Sequence, residues 1–155
     1  MKLYPIILEI IKNRDSFWFT PDGKQHNTGW QQHILFLVDN IDKLMSKEEI
    51  KKWEKADEEK PGMGEVLYKI AFEKGWVRMA ASMIGGKFEV IIEHGDKPDR
   101  EAMTKALEYV MDNLQYISKL WIETHNGKVR IFNFKKGDSN NNIDSFFNDY
   151  AKYLR

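Results

Sequence analysis

From Trp76 to His94 the chain reads WVRMAASMIGGKFEVIIEH, two alternating runs on either side of a Gly-Gly pair. Apolar side chains recur at every second position, the period of a strand with one buried face. A two-residue turn at Gly85-Gly86 pairs Met83 with Phe88, Ala81 with Val90 and Met79 with Ile92 on one face. The same turn sets Arg78 opposite Glu93 on the other face, a favourable cross-strand charge pair. A slip of one residue would scramble both faces, so the pattern specifies its own register.

A second hairpin is expected in KLWIETHNGKVRIFNF, around the type I′ pair Asn126-Gly127. That turn places Ile122 against Ile131 on one face, and Trp121 against Phe132 and Glu123 against Arg130 on the other. The segment GKFEVIIEHGD from Gly86 resembles GKVRIFNFKKGD from Gly127, so the two hairpins read as a slight internal repeat. Helical patterns surround them. EVLYKIAFEK turns Val66, Leu67, Ile70 and Ala71 inward and stops at Gly75. A helix with Asp96 as N-cap and Pro98 in its first turn buries Met103, Ala106, Leu107, Val110, Met111 and Leu114. A last helix carries Ile143, Phe146, Phe147, Tyr150 and Leu154 at helical spacing. The order is α-ββ-α-ββ-α. The expected fold is α+β: a four-stranded antiparallel sheet from two hairpins with helices on one face.

The first part of the chain reads differently. Lys2–Arg14 is a short helical pattern, and SFWFTPDGKQHNT is a short hairpin turning at Pro21-Asp22-Gly23. A helix from Trp30 to about Met45 follows, with Thr28 and Gln31 at capping-box spacing and Trp30, Ile34, Leu37, Val38, Ile41 and Leu44 as its stripe. Ser46 and Glu49 repeat the capping-box spacing ahead of a highly charged helix whose apolar anchors are Ile50 and Trp53. Pro-Gly-Met-Gly at residues 61–64 breaks the pattern. The division is a helical N-terminal part with a short hairpin over residues 1–61 and the α-ββ-α-ββ-α part over 62–155, packed as one unit.

The charge balance narrows the function. Lys+Arg and Asp+Glu are both 24 in 155 residues, so no global positive field draws in nucleic acid. Only five residues are arginine, which disfavours bidentate reading of base edges. No cysteine is present, which excludes disulfides, thiol catalysis and cysteine-held zinc. No apolar run approaches the roughly 20 residues of a membrane span. These features lead to an expectation of a soluble, cytoplasmic protein with no membrane contact.

Catalytic patterns are weak. The strongest is in TPDGKQHNTGWQQH, where Asp22, His26 and His33 could form a three-ligand metal site. The bland reading is a turn entering a helix cap, and it is favoured: His33 flanks the apolar edge of a helix, and no HExxH spacing exists. Neither glycine pair has phosphate-loop spacing, and no serine sits in a nucleophile elbow. The sequence implies no cofactor and leans away from an enzyme. Binding is better supported. By the expected registers, Trp76, Arg78, Lys87, Trp121, Lys128, Arg130 and Phe132 share the face away from the apolar one. Tryptophan beside arginine suits a protein interface, and rings beside basic groups suit single-stranded nucleic acid. Glu89, Glu93 and Glu123 sit among them, so the favoured bland reading is a solvated sheet face laced with cross-strand ion pairs; of the two kinds of partner, protein is preferred.

The pattern FTPDGK…H before a helix, followed by AFEKGWVRMAA, resembles small uncharacterised proteins encoded by tailed phages and prophages. The matching residues are Pro21, Asp22, Gly23, His26 or His33, and Gly75 to Arg78. The resemblance covers about half the chain. It implies a viral or mobile-element origin, an accessory protein in the host cytoplasm, and no known activity. The element order is also distantly similar to half of a LAGLIDADG homing endonuclease. That family places a metal-binding acid before its glycine; here Lys74 precedes Gly75, with Glu73 one earlier, and Tyr68 and Phe72 stand where small residues are needed. Nuclease activity is therefore not expected from the analogy.

Overall fold

The computed structural model describes residues 16–28, 33–52, 63–84, 87–124, 127, 129–133, 148, 150 and 151. The elements are β1 (Ser16–Phe19), β2 (Gln25–Thr28), α1 (His33–Asp39), α2 (Ile41–Leu44), α3 (Met63–Glu73), β3 (Val77–Ile84), β4 (Lys87–His94), α4 (Arg100–Asp112), a 3-10 turn (Leu114–Tyr116), β5 (Ile117–Thr124) and β6 (Val129–Asn133). Residues 47–52 are also helical. The expected first helix, the Gly85-Gly86 turn, Gln31, Trp53 and most of the last helix lie outside the described residues.

The fold is α+β, but its sheet is larger and mixed. Six strands run in the order β2-β1-β3-β4-β5-β6. The expectation of four antiparallel strands missed two features. The first is the N-terminal hairpin: β1 pairs antiparallel with β3, Trp18 opposite Arg78. All four residues of β1 are buried. Phe17 and Phe19 enter one core while Trp18 enters the other. A strand apolar on both faces belongs inside a sheet, and a lone two-stranded hairpin is marginal in water. The expected division at residues 61 and 62 thus falls within one hydrogen-bonded sheet.

The second feature is the link between the hairpins. β4 and β5 are parallel, Ile91 opposite Trp121 and Glu93 opposite Glu123. α4 has 13 residues, about 20 Å of helix at 1.5 Å per residue. That length carries the chain back along the sheet, so β5 starts at the end where β4 started. A register shift between Phe88 and Glu89 admits the extra residue Ser118 in β5.

Helices cover both faces, not one. α4 packs through Ala102, Met103, Ala106, Leu107 and Val110 against Met79, Val90, Ile92, Leu120 and Ile122. On the opposite face, α1, α2 and α3 build a second core from Leu37, Leu44, Leu67, Ala71 and Phe72 around Trp18 and Trp76. Two local expectations also change. α4 is capped by Asp99, which accepts from the Ala102 amide at 3.1 Å; Asp96 is too early, since Pro98 holds the chain extended before the cap. The long helix expected over 30–45 is interrupted at Asn40, whose amide side chain donates to the Phe36 carbonyl at 2.9 Å. Leu37 and Leu44 face inward as expected, but Ile34 and Val38 are exposed. Thr28 ends β2, its hydroxyl donating to the Ser16 carbonyl at 3.2 Å, and its expected capping partner Gln31 lies outside the described residues. The box at Ser46 and Glu49 forms reciprocally, with both amide-to-oxygen distances 3.2 Å.

Candidate functional site

The β3–β4 hairpin has the expected register, including Met79 opposite Ile92 and Arg78 opposite Glu93. The Arg78 guanidinium and the Glu93 carboxylate form an ion pair, and Arg78 is buried. The β5–β6 hairpin is shifted by one residue. Trp121 lies opposite Ile131, Ile122 opposite Arg130, and Leu120 opposite Phe132. The cause is in the turn. The Gly127 amide donates to the Thr124 carbonyl at 2.9 Å, and Gly127 has φ +92°. A turn closed from Thr124 to Gly127, ending on a left-handed glycine, makes a three-residue loop in place of a two-residue one. One added residue reverses every side chain of β6.

The seven residues expected on one face therefore separate. Arg78 and Trp121 are on the face opposite α4. Phe132 turns to the α4 side and is 3% exposed. Arg130 follows it, its guanidinium 5.4 Å from the Phe132 ring centroid. Trp76 precedes β3 and is sealed in the core beneath α1 and α3, at 4% exposure. Lys87 pairs with Ile84 at the start of β4, its side chain outside the described part, and Lys128 lies outside the described residues. In exchange, Ile131 comes to the outer face at 46% exposure, a position the two-residue turn had assigned inward.

This outer face has a definite pattern. One cross-strand row runs Ala80, Ile91, Trp121, Ile131. A second runs Arg78, Glu93, Glu123, Val129, with Val129 at 49% exposure. A third includes Ser82, Glu89, Lys119 and Asn133. Trp121 is half-buried and held from two sides. Its indole N–H donates to Glu89 Oε1 at 3.3 Å, and Lys119 Nζ lies 5.3 Å from the ring. Among the described side chains this face carries Glu89, Glu93 and Glu123 with Arg78 and Lys119, and Glu93 stands directly across from Glu123 with like charge. Such a pair is unfavourable in a sheet unless a cation answers it; among the described residues, Arg78 pairs with Glu93.

The Asp22–His26 region is a small, connected turn. The Thr20 hydroxyl donates to Asp22 Oδ1, and the Lys24 amide donates to the same oxygen at 3.1 Å. The Thr20 oxygen is 3.0 Å from His26 Nε2. Having given its one proton to Asp22, Thr20 must accept from Nε2–H, so the order Asp–Thr–His is not that of a nucleophilic triad, where histidine stands in the middle. The Thr20 hydrogen bond is the largest influence holding the Asp22 carboxyl below its usual range. Burial is the largest influence on His26, lowering its pKa; Lys43 and Lys24 act the same way and Asp22 opposes them. His33 opens α1, and its side chain lies outside the described part. Among the described residues, no three or more His, Cys, Asp or Glu side chains form a group able to hold a metal ion. Among them also, no helix is long and apolar enough to cross a membrane.

The chain matches no protein-family model, no curated protein and no solved structure.

Proposed function

We propose that the protein acts by binding another protein across the outer face of β4, β5 and β6, centred on Trp121. The observation that carries this reading is the row Ile91, Trp121, Ile131. It is an apolar stripe ending in an exposed isoleucine, with the indole fixed by Glu89 and Lys119 before any partner arrives. A large ring held in one orientation loses little entropy on binding, which is the property of interface hot spots. The complementary partner offers apolar side chains to that row and a lysine or arginine to Glu123. The phage-like Pro-Asp-Gly and Gly-Trp-Val-Arg segments make a host or virion protein the proposed source, with this chain as its accessory factor.

Single-stranded nucleic acid is the weaker reading. A stacking platform needs successive rings and a basic track. Phe132 and Arg130 lie away from Trp121, and a phosphate on this face would meet Glu89, Glu93 and Glu123.

The test is affinity capture with wild-type protein, Trp121→Ala, Ile131→Ser and a distant control, Leu35→Ser, followed by RNA and single-stranded DNA binding at low and high salt. Loss of the same protein partner with the first two variants alone supports the reading. A partner set unchanged by Trp121→Ala refutes it, and salt-sensitive nucleic-acid binding abolished by Trp121→Ala would replace it.

A further inference from the structure

A second concave site lies beneath the Pro21-Asp22-Gly23 turn, independent of the sheet face. Its volume is about 230 Å³, below the roughly 300 Å³ at which drug-sized pockets begin. One wall is aromatic. Phe36 lies 6.1 Å from Trp76 and 4.9 Å from the His26 ring, centroid to centroid. The polar lining comes from two separate parts of the chain. Asp22 stands on the β1–β2 turn, while Asn40 and Lys43 come from the break between α1 and α2 and from α2 itself.

Two features of this lining point to a ligand. First, Asp22 and Lys43 both line this depression from its exposed edge and form no ion pair with each other. Second, the donors and acceptors are only partly used. Asn40 Nδ2 gives one of its two protons to the Phe36 carbonyl, leaving one. Asp22 Oδ1 takes the Thr20 and Lys24 bonds, and Oδ2 keeps acceptor capacity. A molecule that answers all of this carries a cationic donor for Asp22, an anionic acceptor for Lys43 and Asn40, and an apolar body for Phe36 and Trp76.

We infer that this cavity binds a small zwitterion of the α-amino-acid class with an apolar side chain. The ammonium group meets Asp22, the carboxylate meets Lys43 and the Asn40 amide, and the side chain lies on the aromatic wall. Charge-assisted hydrogen bonds at both ends orient the ligand.

The experiment is an NMR amide titration of the full chain with L-leucine and L-phenylalanine. The half-ligands 3-phenylpropionate and 2-phenylethylamine are titrated in parallel. Saturable shifts over residues 20–26 and 36–43, with a Kd on the order of 1 mM or tighter, are expected for the amino acids. Each half-ligand should bind at least about tenfold more weakly, a loss of about 1.4 kcal/mol. Lys43→Met, an exposed position, should weaken binding of the amino acid and leave 2-phenylethylamine unchanged. Asp22→Asn should do the converse, and Trp121→Ala should change neither. No saturation by about 10 mM, or half-ligands binding as well as the amino acids, would overturn the assignment.

Discussion

Trp121 stands across the β5–β6 ladder from Ile131, and the neighbouring Phe132 points to the opposite side of the sheet. That single relationship decides which ring is in the core and which is at the surface. It gives the outer face an aliphatic companion to its tryptophan in place of a second ring, and so tilts the functional reading from nucleic acid toward protein.

The register predicts unequal costs for adjacent residues. Phe132→Ala should destabilise by about 3–5 kcal/mol, because removing a buried ring leaves a cavity in the core on that side of the sheet. Ile131→Ala should change stability by less than about 1 kcal/mol, since the side chain is already half in water. Urea unfolding of both variants checks this. The reverse order would restore the two-residue turn.

Arg78 and Glu93 should behave as a partly buried pair, with the Arg78 side chain 9% and the Glu93 side chain 26% exposed. Glu93→Ala leaves a buried guanidinium without its carboxylate and should cost about 3 kcal/mol. Replacing both, as Arg78→Met with Glu93→Leu, should recover most of that loss. By contrast Lys105→Ala breaks the exposed pair with Glu108 and should cost less than about 1 kcal/mol. A double-mutant cycle on the unfolding free energies measures the coupling.

Gly75 and Gly127 share a positive φ but differ in surroundings. At Gly75, φ is +90° and an added Cβ would lie 2.7 Å from the Asp99 amide nitrogen, whose proton goes to the Gly75 carbonyl. Gly75→Ala should therefore cost more than about 2 kcal/mol and loosen the docking of α4's cap on the end of α3. At Gly127 nothing lies within 4 Å of the added Cβ. Gly127→Ala should cost only the backbone preference, about 1 kcal/mol. Thermal unfolding distinguishes the two.

Acid should weaken the fold in two stages. Burial lowers the His26 pKa in the folded state, so below the ordinary value of 6.5 the unfolded chain binds the proton first. Stability is then full above 6.5 and falls as pH drops through the folded value. Asp22, held down first by the Thr20 hydroxyl, and Glu49, held down first by its capping bonds with Ser46, add losses below 3.8 and 4.5 respectively. Urea midpoints measured across this range should show both stages, and His26→Gln should remove the earlier one alone.

The sequence by itself determined the local pieces. The alternation through Val77–His94 specified the β3–β4 register, because only one pairing keeps Met79, Ala81, Val90 and Ile92 together. Ser46 and Glu49 specified a reciprocal cap, because both partners lie within one turn. Tertiary structure decided how the pieces combine. A run such as SFWF alternates nothing and carries no face, so its place between β2 and β3 depends on cores supplied by α4 on one side and by α1 and α3 on the other. The Asn126-Gly127 pair is compatible with a two-residue or a three-residue loop. The three-residue loop closed by Gly127 sends Phe132, and not Ile131, into the core on the α4 side of the sheet, and only the folded sheet shows which loop forms.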